Sequence, residues 1–119
     1  MKKFNISVQL YTYKAIITDV YDGDTFTADI DLGLGIWKKG VKLRLAHVDT
    51  PEIRGSEKVE GKKVRDHVRE LILDKNITLQ TFKDKTGKFG RLIAEVYLDQ
   101  DKTLSDYLIE NNMAEWYAY

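Results

Sequence analysis

Val41-Lys42-Leu43-Arg44-Leu45-Ala46-His47-Val48-Asp49-Thr50-Pro51-Glu52 is the stretch from which the rest of the chain can be read. Val41 to Val48 has the character of a strand, with β-branched and apolar residues alternating against Lys42 and Arg44. Pro51 has no N–H to give to a sheet ladder, so the strand ends at Asp49. The same proline holds Thr50 in an extended conformation. Asp49 and Glu52 are thereby set at the rim of a sheet, and Arg44 lies on the strand that leads to them. Carboxylates and a guanidinium on a rigid strand end suit work on a phosphate better than they suit packing.

Working outward, Tyr11, Tyr13, Ala15 and Ile17 alternate with Thr12, Lys14, Ile16 and Thr18, a first strand with one buried face. It runs to Asp22-Gly23-Asp24, where Asp-Gly is a strong turn signal. A second strand follows, with Phe26, Ala28, Ile30 and Leu32 on one face and Thr25, Thr27, Asp29 and Asp31 on the other. Gly33 to Gly40 holds three glycines and reads as a connection. Its apolar members Leu34, Ile36 and Trp37 are expected to cap the end of the sheet; the sharper alternative is that Trp37, with Lys38 and Lys39, stacks on a nucleic acid.

Beyond Glu52, Ser56 is expected to cap a helix spanning Glu57 to Leu73. Val64, Val68, Leu71 and Ile72 fall on one helical face and charged residues fill the other. His67, beside the apolar stripe, reads as a boundary residue and not as a ligand, and His47 as a strand residue without a catalytic part. Ile77 to Phe82 is a fourth strand, Lys83 to Gly90 a polar loop, and Arg91 to Leu98 a fifth strand. Thr103 caps a short second helix, with Asp106 three residues on, and Asn111-Asn112 closes it. The order β-β-β-α-β-β-α, mainly β with helices, predicts a five-stranded OB-fold barrel with a helix after the third strand and a short C-terminal helix.

Residues 1–119 are enough for one domain, and nothing marks a boundary; residues 1–10 read as an arm or an added edge strand. Charges balance at 19 basic against 19 acidic, so any phosphate binding must come from local placement of Lys and Arg and not from a general basic excess. There is no Cys, which excludes disulfides and thiolate metal sites. No apolar run is long enough for a signal peptide or a membrane span, so a soluble chain is expected, secreted or cytoplasmic. Asp22-Gly23-Asp24 and Asp49-Thr50-Pro51-Glu52 both lie at strand ends. Side by side they would make an oxygen-only site of the kind Ca²⁺ or Mg²⁺ prefers.

Asp22-Gly23-Asp24-Thr25, Arg44-Leu45, Val48-Asp49-Thr50-Pro51-Glu52 and Lys88-Phe89-Gly90-Arg91, in that order, closely resemble the staphylococcal nuclease (thermonuclease) family, from about Tyr11 to Tyr119. The resemblance implies an OB-fold barrel and calcium-dependent hydrolysis of DNA or RNA at the P–O5′ bond, leaving 3′-phosphates. It implies Asp24 and Asp49 as calcium carboxylates, the Thr50 carbonyl as a further ligand, and Asp22 in support. It implies Glu52 as the general base, or the group that positions the attacking water, and Arg44 and Arg91 as the groups that bind the phosphate. Lys88, Phe89, Tyr117 and Tyr119 would contact the substrate, Phe89 standing where the founding enzyme has a Tyr. A monomer acting on DNA or RNA, with no membrane partner, is the expectation. The alternative is an OB-fold module that binds nucleic acid without cutting it.

Overall fold

The computed structural model describes residues 9–82, 91–99 and 101–117. In chain order its elements are β1 (Thr12–Asp22), β2 (Thr25–Gly33), β3 (Ile36–Leu45), β4 (Val48–Asp49), a 3₁₀ turn (Gly55–Glu57), α1 (Lys58–Ile72), β5 (Asn76–Phe82), β6 (Arg91–Tyr97), α2 (Leu104–Glu110) and β7 (Glu115–Trp116). Five strands close into a barrel in the order β1-β2-β3-β6-β5. β3 and β6 pair in parallel and the other neighbours antiparallel, which gives the OB-like mixed barrel that the sequence predicts. Closure leaves no long bare sheet edge.

Period-two patterning fills this barrel. Ile17, Phe26, Ala28, Leu43, Leu45, Leu79 and Val96 are buried inside it. Two register shifts interrupt β1, between Ile17 and Asp19 and between Val20 and Asp22. Each bulge re-aims the residues after it. The alternation begun at Ala15 and Ile17 therefore resumes at Val20, and Asp22 ends up buried at the barrel rim. Tyr11 stands outside the strand at φ 61°, exposed.

α1 covers the barrel with Val64, Val68 and Ile72, while Leu71 is half-buried beside them. Arg69 fastens the helix by donating to the Val20 carbonyl at 2.9 and 3.2 Å. α2 buries Leu104 and Leu108, and the Thr103 hydroxyl accepts the Asp106 N–H at 3.1 Å, as its sequence predicts. His67 Nε2 meets the Tyr107 hydroxyl at 2.7 Å with the rings stacked, so it joins the two helices.

Several expectations are corrected. Gly33–Gly40 is not a loop that caps the sheet: β3 already begins at Ile36, opposite Gly33, and the chain reverses through Leu34 and Gly35, both at positive φ. Leu34 is 99% exposed, and Leu32 and Ile36 beside it are exposed as well. The third strand stops at Leu45, not at Val48, because the backbone bends at Ala46-His47 with His47 at φ 70°. Val48 and Asp49 then pair with Trp116 and Glu115 of the tail, a pairing the sequence did not announce. Ser56 lies in the 3₁₀ turn and does not cap α1, which starts at Lys58 with no side-chain cap.

Candidate active site

The β1–β2 turn is built by its own residues. The Asp24 N–H donates to Asp22 Oδ1 at 3.1 Å, the local side-chain bond that makes Asp a turn former. Gly23 has no room for a side chain, since a Cβ there would lie 2.7 Å from Val64 Cγ1 and 2.8 Å from Thr50 Oγ1. The turn thus presses against both α1 and the Asp49-Thr50 corner. Leu45 N–H donates to the Asp24 carbonyl at 2.8 Å, and Thr50 N–H to Asp24 Oδ2 at 3.0 Å. The two acidic segments, distant in sequence, are held together by backbone donors on one side and a carboxylate on the other.

Arg44 lies at the centre, buried to 7% exposure. Its Nη1 donates to the Leu45 and Val48 carbonyls, each at 2.7 Å, so the guanidinium spans the Ala46-His47 bend. Its Nη2 donates to Asp49 Oδ1 at 3.1 Å and lies 3.6 Å from Asp24 Oδ2. A planar fork can serve two carbonyls and two carboxylates at once, which an ammonium cannot.

Acid outnumbers base here. Burial first, then the charge of Asp24 beside it, pushes Asp22 up to about 7. Burial also opposes ionisation of Asp24. The bond from Asp22, the charge of Arg44 and the Thr50 N–H outweigh it and hold Asp24 below the usual carboxylate range. Partial burial and the Asp24 charge raise Asp49, which Arg44 only partly offsets. The pair Asp22–Asp24 therefore keeps one proton on Asp22 near neutrality, the response of close carboxylates that cannot both ionise.

The tail closes the corner. Tyr117 N–H donates to the His47 carbonyl at 2.8 Å, and the Tyr117 ring lies 5.7 Å from Arg44 Cζ, within cation–π range. Beside it is a small cleft of about 200 Å³, lined by Asp49, Thr50, Pro51, Glu52, Glu57 and residues 112–115. Glu52 is exposed on its wall and makes no hydrogen bond or ion pair among the described residues. α1 approaches so closely that a Cβ on Gly61 would lie 2.0 Å from the Glu52 carbonyl oxygen.

The structure therefore brings Asp22, Asp24, Arg44, Asp49 and Thr50 together, sets Glu52 on the adjoining cleft, and lays Tyr117 over Arg44. Arg91 opens β6 with its backbone in register with Lys42 of β3. Lys88, Phe89 and Tyr119 lie outside the described residues. Sequence reasoning missed Glu57 and Glu115, which join the cleft only through the 3₁₀ turn and the β4–β7 pair. It also missed a buried support beneath the bend. Ser105 Oγ lies 2.7 Å from the Ala46 carbonyl and 2.8 Å from Glu95 Oε1, and His47 Nε2 is 3.6 Å from Glu95 Oε2. Burial raises Glu95, with Ser105 and His47 pulling the other way. A lone Glu inside the apolar strand Arg91–Leu98 was the signal available for it.

Among the described residues no group of three or more His, Cys, Asp or Glu side chains could hold a metal by side chains alone. Two carboxylates with a main-chain carbonyl remain, and these are oxygens only. Thr50 Oγ1 is buried next to them without a hydrogen-bond partner among the described residues. An uncompensated acidic corner with an orphan oxygen fits a hard divalent cation that completes its shell with water.

The model of the family described as staphylococcal nuclease homologue matches residues 42–119, which include Arg44, Asp49, Thr50, Glu52 and Arg91. A protein named thermonuclease, from Staphylococcus hyicus, is 32% identical over 93 residues, 76% of this chain and 50% of that protein. The chain thus spans about half the length of the curated relative it matches.

Proposed function

The chain belongs to the staphylococcal nuclease homologue family, and on that premise we propose that it is a calcium-dependent nuclease that hydrolyses DNA or RNA at the P–O5′ bond and leaves 3′-phosphates. The observation that carries this reading is the meeting of Asp24 and Asp49 on one Arg44 Nη2, at 3.6 and 3.1 Å, beside a Glu52 with no partner among the described residues. In this reading Asp24, Asp49 and the Thr50 carbonyl hold the cation, with Asp22 in support. When bound, the cation neutralises charge on a phosphate oxygen.

The chain's own residues do the rest. Glu52 orients the attacking water and accepts its proton. Arg44 and Arg91 donate to the non-bridging oxygens, and their charge meets the negative charge that builds on them as the water oxygen bonds to phosphorus. The P–O5′ bond breaks, the leaving 5′-oxygen takes a proton from solvent, and the 3′-phosphate remains. Tyr117 flanks the nucleotide on the Arg44 side, with Lys88, Phe89 and Tyr119 as further contacts. The chain acts as a monomer over one domain, residues 1–119. No described helix is long and apolar enough to cross a membrane.

The test is cleavage of single-stranded DNA and RNA with Ca²⁺ and then with chelator, alongside Glu52→Ala and Arg91→Ala. Cleavage that needs the ion and falls by about 10²-fold or more in each variant supports the reading. Binding without cleavage under any divalent ion would make the chain a binding module instead. Full activity of Arg91→Ala would remove that residue from the site.

A further inference from the structure

Beyond Arg44, the β2–β3 hairpin carries a row of side chains that the site does not use. On β2, Thr25, Thr27, Asp29 and Asp31 share the outer face, opposite the buried Phe26, Ala28 and Ile30. Cross-strand partners share a face. Arg44 pairs with Thr25, Lys42 with Thr27 and Trp37 with Asp31. The register shift between them leaves Lys39 against Asp29, at 3.7 Å. The outer face of β3 thus reads Arg44, Lys42, Lys39, Trp37 from the candidate site toward the hairpin tip.

The acids on this face are already engaged. Asp29 accepts the Gly40 N–H at 2.9 Å and pairs with Lys39, and Asp31 accepts the Gly33 N–H at 2.8 Å. The cations are freer: Lys14, Lys38 and Lys42 make no ion pair among the described residues. Trp37 is 41% exposed, with Lys39 Nζ 6.0 Å from its ring.

At the level of Trp37 the row widens. Lys14 of β1 pairs with Asp31, so Lys14, Asp31 and Trp37 stand side by side across three strands. Beside them opens a cavity of about 870 Å³, lined by Thr12, Lys14, Asp31, Trp37, Thr78 and Tyr97 among others. Thr12 stands on its wall with its hydroxyl buried beneath the surface, without a hydrogen-bond partner among the described residues. The cavity lies within the ~300–1,000 Å³ range of small-molecule sites.

We propose that this cavity is an accessory nucleotide subsite, and that the single-stranded substrate runs from Arg44 along the outer face of β3 to stack a base on Trp37. The proposal rests on the nuclease reading and deepens it. A flat, half-exposed indole supplies the stacking face, and Lys42 and Lys14 meet backbone phosphates. Trp37 and Arg44 are separated by roughly 20 Å of strand at ~3.3 Å per residue. Several nucleotides span that length, within the ~4–16 that an OB barrel covers.

The test uses a labelled 12-nucleotide single strand and a trinucleotide. In chelator, where nothing is cut, Trp37→Ala weakens binding of the 12-mer by about tenfold or more, and Trp37→Phe retains most of it. Lys42→Ala weakens it too and lowers the slope of log affinity against log salt by about 0.7. With Ca²⁺ restored, Trp37→Ala raises KM for the 12-mer while kcat, and KM for the trinucleotide, stay at the wild-type values. Circular dichroism and Tm confirm that the variants fold.

Equal binding of the 12-mer by wild type and Trp37→Ala overturns the subsite, as does an equal rise in KM on both substrates. Trp37-dependent binding of anionic vesicles with none of the oligonucleotide overturns it in favour of a membrane surface. Trp37-dependent binding of the 12-mer by a wild type that never cuts leaves the subsite standing and removes the nuclease reading.

Discussion

Asp24 Oδ2 accepts the Thr50 N–H at 3.0 Å, and this one bond joins the β1–β2 turn to the corner that follows β3. The same oxygen lies 3.6 Å from Arg44 Nη2. A buried carboxylate that satisfies a backbone donor and faces a guanidinium shapes the site as well as charging it.

Asp24→Ala leaves the Thr50 N–H without its partner. The expected loss is about 1–3 kcal/mol of stability, the penalty for an unsatisfied buried donor. Urea unfolding at fixed pH measures it. Because Asp24 is also the neighbour that helps to raise Asp22, the variant brings the Asp22 titration back toward the ordinary range, which carboxyl ¹³C shifts against pH report. An Asp22 titration unchanged by the substitution would sink the coupling.

Asp22 gives the fold a pH dependence of definite sign. It is about 7 in the folded chain against an ordinary value of 3.8, so between those limits the folded state holds a proton the unfolded state has lost. Its contribution to stability is full below 3.8, declines as pH rises through that window, and is gone above about 7. Asp24, which is lowered, works with the opposite sign at acid pH. Urea midpoints of wild type and Asp22→Asn in chelator, from pH 4 to 8, isolate the Asp22 part. Wild type is expected to lose stability against Asp22→Asn as pH rises from 4 to about 7, and a difference that stays constant across the range would mean that the carboxyl titrates normally.

Arg44→Lys keeps the charge and removes the fork. One ammonium cannot reach the Leu45 and Val48 carbonyls and the Asp49 carboxylate in the same geometry. The variant is expected to lose about 1.5–3 kcal/mol of stability, the range for a hydrogen bond to a charged group. It is expected to lose about 10²-fold in kcat, because the bend that carries Asp49 is no longer held. Thermal unfolding and steady-state kinetics check the two separately, and wild-type kcat in Arg44→Lys would mean that the fork is dispensable.

Gly61→Ala tests the seat of Glu52. The new Cβ meets the Glu52 carbonyl, a backbone atom, at 2.0 Å, so helix and loop must move apart. Overpacking of this kind costs about 1–3 kcal/mol. Cleavage should fall further than that loss of stability accounts for at temperatures where the variant stays folded. A loss of Tm with kcat untouched would separate the position of Glu52 from the reaction.

The barrel strands were legible because their signals are local. Phe26, Ala28 and Ile30 alternate with Thr25, Thr27 and Asp29, and Asp22-Gly23 marks the turn before them. Val64, Val68 and Ile72 repeat at helical spacing, and Thr103 precedes an apolar turn. The residues of the candidate site were legible as a set, and Asp22, Asp24, Arg44, Asp49 and Thr50 do converge. The Gly33–Gly40 segment was misread because glycines inside a hairpin resemble those of a loop. What separates the two is the partner strand, and Gly33 opposite Ile36 is a fact of register.

By itself, then, the sequence determined which segments extend, which coil and which acids sit at strand ends. Those properties follow from side-chain period, proline and turn chemistry within a few residues of one another. Tertiary structure alone decided that β3 closes on β6 in parallel, that the tail pairs with Val48-Asp49, and that Arg44 turns back to hold the bend. It alone gave Asp22 its proton, because burial and the nearness of Asp24 come from packing. The sequence supplied the acids and the arginine; the closing of the barrel put them within reach of one another and set their charge.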